Sequence, residues 1–255
     1  FLVMLGLFFL FWKVGNKTNV YQMGINLAPS SLMWWGFLVQ SALVGLGLIY
    51  AWLWRDRAPN ATRDSLGLLV GVLALSVGIY HGLLLAVLTS HPIWASGSMV
   101  LMAILAFMTT GVAGALLAHL VRMSVAGRSS EEGELAGYLE GLGTVRTVLL
   151  VALALMLANF FLWWVDLSYG SLQSRQALAA AWSAYGPLLL QIGIGLGLVV
   201  PLVLIAGFYG RAPIKRPALT LSVVGLSSLL VLVGGFAMRY AVVLGGQVPL
   251  PLSTF

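Results

Sequence analysis

Apolar positions in this chain neither alternate nor form a single stripe. They run almost unbroken through seven segments, 1–12, 30–54, 66–89, 98–121, 147–165, 187–210 and 218–244. Polar connections separate them at 13–29, 55–65, 90–97, 122–146, 166–186 and 211–217. A helix rising about 1.5 Å per residue needs about 20 apolar residues to cross the hydrocarbon core of a bilayer. Every segment but the first has that length, and 1–12 reads as the remainder of a longer one. Strands of a membrane barrel would alternate apolar and polar residues, and these do not. The pattern predicts an all-α integral membrane protein, a bundle of seven visible transmembrane helices in a single transmembrane domain over 1–255. Within connection 122–146, the stretch SSEEGEL predicts a short surface helix capped by Ser129 or Ser130. The small-residue runs GVAG (111–114) and GIGLG (193–197) predict close helix packing.

Composition strengthens the picture. The chain is 60% hydrophobic and 8% charged, where soluble domains carry about 25% charged residues. The absence of cysteine excludes disulfides, thiol chemistry and Cys-ligated iron–sulfur clusters within the chain. The net charge of +6 is a topology signal rather than a nucleic-acid footprint. Arg55, Arg57, Arg63, Arg122, Arg128, Arg146, Arg211, Lys215 and Arg216 fall in or at the edges of 55–65, 122–146 and 211–217, whereas the alternate connections hold only Lys13, Lys17 and Arg175. The first set is therefore expected on the cytoplasmic side of the cell's inner membrane and the C-terminus outside. Both termini lie outside if an eighth helix precedes Phe1.

Ionisable residues at membrane depth are costly, and so are candidates for function. His81, preceded by Tyr80, is expected roughly 15 Å inside segment 66–89, near mid-membrane. Arg239 lies within the last segment and must face protein, water or a partner. Lys13 and Asp166 stand at outer boundaries, as interfacial anchors or as an ion pair. His91 and Trp94 lie in the outer turn SHPIWASG. His119 and Arg122, at the opposite edge, read as side chains that snorkel to headgroups. Trp34, Trp35, Trp163 and Trp164 read as an aromatic belt. The three histidines lie at unmatched depths, and the seven acids fall mostly in connections. No haem and no metal site is therefore expected.

Three stretches together resemble one family. APSSLMWWG (28–36), IYHGLLL (79–85) followed by HPIW (91–94), and GGFAMRYAVVLGGQ (234–247) are similar to conserved blocks of the polysulfide reductase membrane-subunit, or NrfD, family, in the right order. The resemblance implies eight helices and no haem or metal. It also implies a quinone-reactive role, with electrons passing to or from a docked iron–sulfur subunit and onward to a catalytic subunit of molybdopterin type. The quinone, menaquinone or ubiquinone, is expected near the outer face. The family's Asp-Leu-Gly at the end of its second helix is replaced here by Lys13-Val14-Gly15, an acid by a base.

These readings converge on a quinone site between segments 30–54 and 66–89. Tyr80 and His81 are its donors and proton carriers, and Lys13, Ser31, Met33, Trp35 and Trp94 surround the ring. His91, Asp166 and Arg239 are expected in proton transfer or as structural polar groups. Two rival readings are an ion-translocating subunit that uses His81 and Arg239, and a membrane anchor with no quinone site. No internal repeat of the transporter kind is visible.

Overall fold

The computed structural model describes residues 28–55, 61–125, 132–209 and 217–249, with Phe8, Trp12 and Gln22. Among them all regular structure is helical: α1 (Leu32–Leu53), α2 (Ala61–Ala86), α3 (Gly97–Val125), α4 (Glu132–Tyr169), α5 (Leu172–Pro187), a π-helical stretch Leu188–Val199, α6 (Val200–Tyr209) and α7 (Pro217–Gly245). Six spans are long and apolar enough to cross a membrane. Seven were expected; the remaining one, 1–12, lies outside the described residues apart from Phe8 and Trp12.

Two connections are more helical than their polarity suggests. The surface helix expected within 122–146 is the first part of α4, which runs unbroken from Glu132 to Tyr169; its expected caps, Ser129 and Ser130, lie outside the described residues. Most of 166–186 is α5, started by Ser171, whose hydroxyl accepts the Ser174 N–H. Hydropathy marks where a helix is in lipid, not where it ends. A capped polar turn therefore extends a helix past the apolar segment.

The π-helical stretch has a local cause. Pro201 lacks an N–H, and its ring presses on the carbonyl four residues back, so the backbone before it widens. The Val200 N–H accordingly bonds the Gly195 carbonyl, five residues back.

The chain forms two compact units, Phe1–Leu84 and Leu85–Phe255. In the first, α1 and α2 meet through tyrosines laid on glycines. A Cβ on Gly36 would fall inside the Tyr80 ring, and one on Gly67 would come within 3.0 Å of the Tyr50 ring. Gly36 and Tyr50 are separated by about 21 Å of α1, and Gly67 and Tyr80 by about 20 Å of α2. The two contacts therefore fix an antiparallel register at both ends. Beyond the second of them, Arg63 lies over the Trp54 ring at 4.3 Å.

The second unit is an up-and-down bundle of α3, α4, the continuous α5–π–α6 helix and α7, with α7 packed chiefly against α3 and the α5–π–α6 helix. Its tightest crossing is glycine on glycine: a Cβ on Gly197 would lie 2.5 Å from the Gly234 Cα. Gly193, one turn away, faces Met238 at 3.1 Å in the same sense. The close packing expected of 193–197 is thus present. In 111–114 the packed residue is Ala113, 0% exposed, and a Cβ at Gly114 reaches Leu232, while nothing lies within 4 Å of one at Gly111.

Candidate functional site

Ser31, Met33, Trp35, Tyr80 and His81 belong to the first unit, and His91, Trp94, Asp166 and Arg239 to the second. Lys13 lies outside the described residues.

In the first unit, α2 ends at Ala86 rather than at residue 89. His81 therefore stands five residues from the helix end, about 7–8 Å along the axis and shallower than expected. Its Nδ1 lies 2.7 Å from the Val77 carbonyl oxygen. A carbonyl only accepts, so Nδ1 carries the proton and the acceptor lone pair of the neutral ring is on Nε2. The Tyr80 and His81 rings meet edge to face, with centroids 5.3 Å apart. Tyr80 is seated on Gly36, which brings α1 alongside this pair.

Five residues before Gly36, Ser31 is the N-cap of α1, with extended backbone. Its carbonyl accepts the N–H groups of Trp34 and Trp35, while its hydroxyl makes no capping bond. Met33 and Trp35 were expected to line one pocket together. Two residues along a helix turn a side chain by about 200°, so they point to opposite sides of α1. Met33, three residues before Gly36, is on the side nearer Tyr80. Trp35 turns away and donates its indole N–H to the Pro29 carbonyl at 2.8 Å. Both side chains are about half exposed. Trp34, read as a belt residue, has a buried indole N–H with no hydrogen-bond partner among the described residues.

In the second unit, the turn between α2 and α3 is clamped to the end of α7. His91 Nδ1 donates to the Gly246 carbonyl at 2.7 Å, and Trp94 donates its indole N–H to the Val242 carbonyl at 3.0 Å. The Trp94 ring lies so close to Gly246 that a Cβ there would overlap it. Trp94 is 5% exposed, so it packs in the core of this unit, where a quinone wall was expected. The same turn is tied to α4. Trp163 donates to the Ile93 carbonyl at 3.1 Å, and Ser96 donates to the Asp166 carboxylate at 2.8 Å. Asn159 reaches the Ser98 carbonyl at 3.2 Å. Asp166 therefore has a local hydroxyl donor. Trp163 is buried, while its neighbour Trp164 is exposed, which splits the expected aromatic belt between core and surface. Arg239 donates to the Thr110 hydroxyl at 2.9 Å and lies 4.9 Å from the Phe107 ring centroid.

Sequence reasoning passed over Asn159, Ser96 and the buried indole N–H of Trp34. Asn159 had a signal: it is the lone amide inside the apolar segment 147–165, the same criterion that singled out His81. Ser96 and Trp34 had none, because neither residue type is costly near a membrane boundary. Among the described residues, no three His, Asp or Glu side chains converge.

Two comparisons bear on this arrangement. The family model described as polysulphide reductase, NrfD, matches residues 1–251. The C subunit of the polysulfide reductase of Wolinella succinogenes is 31% identical over 179 residues, which are 69% of this chain and 51% of that relative. The chain thus spans about half the length of this curated relative.

Proposed function

The chain belongs to the NrfD polysulphide reductase family, and from that premise we propose that it is the quinone-reactive membrane subunit of a multi-subunit oxidoreductase in the inner membrane. The quinone headgroup is bound by the first unit, at the end of the α1–α2 pair where Tyr80 and His81 meet.

The Tyr80–His81 pair carries this reading. It places two polar rings in contact near the end of the apolar part of α2. One of them rests on a glycine with no space for a larger residue. A bound quinone supplies a redox couple of two electrons and two protons. The chain's own residues supply position and protons. The Tyr80 hydroxyl is a donor for a carbonyl oxygen. The His81 ring, locked by Val77 into one tautomer, exchanges protons through Nε2. Met33 adds an apolar, adaptable surface on the same side of α1, and the Ser31 hydroxyl lies at the helix mouth. The residues present therefore suit a ring bearing two carbonyl groups. Electrons travel to or from clusters on another subunit, since this chain has no cysteine to hold one.

The test is quinone-linked turnover by the assembled complex in membranes carrying His81→Gln or Tyr80→Phe. General acid–base groups contribute about 10²–10⁴-fold, so turnover is expected to fall by about tenfold or more. The complex should stay assembled, because one hydrogen bond is worth about 1 kcal/mol net. Full activity in both variants would exclude this site. Isolation of the native complex without an iron–sulfur subunit or any quinone would exclude the wider reading.

A further inference from the structure

Serine and threonine hydroxyls in these helices usually bond a carbonyl one turn back, as Ser76 does to Val72, Thr109 to Leu105 and Thr110 to Ala106. Two neighbouring serines depart from this habit. Ser227 and Ser228 of α7 are 1% and 0% exposed, and their hydroxyls have no hydrogen-bond partner among the described residues. Buried hydroxyls without partners are rare in native structures, and each calls for a specific cause.

A small cavity lies beside them. Ser227 and Ser228 line it together with Arg146 of α4, Leu116 of α3, Leu149 and Ile205. The cavity lies toward the end of the second unit where α4 and α7 begin. Arg146 is two residues into the apolar span Thr144–Tyr169, and Ser228 is nine residues into Leu219–Gly245. Ser228 thus stands about 13 Å into the apolar part of α7, on a cavity whose lining is mostly apolar.

Its limit can be read along the α3–α7 seam. Gly225 meets Leu120, Gly114 meets Leu232, and Gly235 meets Thr110. Between the serines and Thr110, the buried residues are Val231 at 1% and Ala113 at 0% exposed. Both are apolar. The next polar pair, Arg239 and Thr110, stands beyond them.

We propose that this cavity is a water site. It has room for about one water molecule, and its mostly apolar lining includes two serines and an arginine, the kind of partners that a buried water needs. The Ser227 and Ser228 hydroxyls and the Arg146 guanidinium hold it. Water enters from the end where α4 and α7 begin and stops at Ala113 and Val231. The inlet is a dead end, and it does not join the Arg239–Thr110 pair.

The chain has no cysteine, so single cysteines report on water directly. A thiol reacts as its thiolate, which forms in water and not in an apolar core. Ser227→Cys, Ser228→Cys and Val231→Cys are to be placed one at a time in the full complex in native membranes. Each is treated with silver ion, and the remaining thiol is then alkylated after solubilisation. Silver is expected to block the cysteines at 227 and 228 about tenfold or more faster than that at 231. Equal, slow reaction at all three positions would overturn the water site. Equally fast reaction at 231 would overturn the dead end. If the serine variants do not assemble, a high-resolution map of the unaltered complex decides. Solvent density within hydrogen-bonding distance of both serine hydroxyls supports the site, and an empty cavity refutes it.

Discussion

Gly36 and Tyr80 show how one missing methyl group shapes the candidate site. A Cβ at residue 36 would overlap the Tyr80 ring, so any side chain there must push the tyrosine away from α1. Overpacking of this kind costs about 1–3 kcal/mol. Gly36→Val is therefore expected to lower the melting temperature of the purified complex and to reduce quinone-linked turnover. Tyr80→Leu in the same chain should restore much of the stability and none of the turnover. Recovery of both would show that Tyr80 only packs. Tyr80 and His81 were legible in the sequence because polarity inside an apolar segment is rare and costly. The roles of the tryptophans were not. Trp94 and Trp163 are core residues whose indole N–H groups hold backbone carbonyls, while Trp164 is exposed. Burial of a tryptophan depends on which way a helix is turned, and hydropathy carries no information on that. Ser227 and Ser228 were invisible for a related reason: small hydroxyl residues are common in membrane helices, and only their missing partners mark them out.

Most of the helices could be placed from apolar segment length alone, and the structure keeps all six full-length segments. The errors fell at helix ends, where capping and polar turns decide, and at the joins of α4 and α5 with their neighbours. The π-helical stretch was not legible either, since a proline in a membrane helix is compatible with a kink, a bulge or a wide turn. Glycines set the closest approaches between helices, against side chains at Gly36 and Gly67 and against another glycine at Gly197. Membrane helices gain contact by van der Waals packing rather than by escaping water, so the loss of backbone approach is severe. Gly197→Leu, at the crossing with Gly234, is expected to leave little folded subunit extractable in mild detergent. Gly111→Ala, in an equally glycine-rich stretch but facing nothing within 4 Å, should be extracted like the parent. Size-exclusion profiles of the two variants check this, and equal profiles would remove the crossing from its assigned role.

For the whole molecule, the unevenness of basic residues and the helix order make a joint forecast. Within the second unit, the 87–96 turn, the α4–α5 junction and the end of α7 share one end, as their mutual hydrogen bonds require. From the charge pattern, that end is expected outside. Reporter enzymes that work only outside the membrane should therefore be active when fused within 87–96 or after residue 249. Fused within 56–60, 126–131 or 210–216, they should be inactive. Activity in both sets would refute the assigned topology. The same charge logic leaves Arg239 as the basic residue outside every connection, held by Thr110 and Phe107 instead of by headgroups.

The clamp that His91 and Trp94 place on the end of α7 has a consequence for how the chain is made. Synthesis runs from the N-terminus, so the turn emerges long before the carbonyls of Val242 and Gly246 that it holds. Until α7 leaves the ribosome, α3 lacks one of its two main neighbours, the π-helical stretch lacks the glycine crossing, and two donors in the turn lack the carbonyls they hold. The second unit therefore closes in a late step, triggered by the arrival of its last helix. Nascent chains halted before Pro217 should be cleared by membrane proteases even though five of the six spans among the described residues are already made. Chains halted after Gln247 should persist. Pulse-chase labelling of the two lengths measures the difference, and equal lifetimes would mean that the earlier helices hold together without the last.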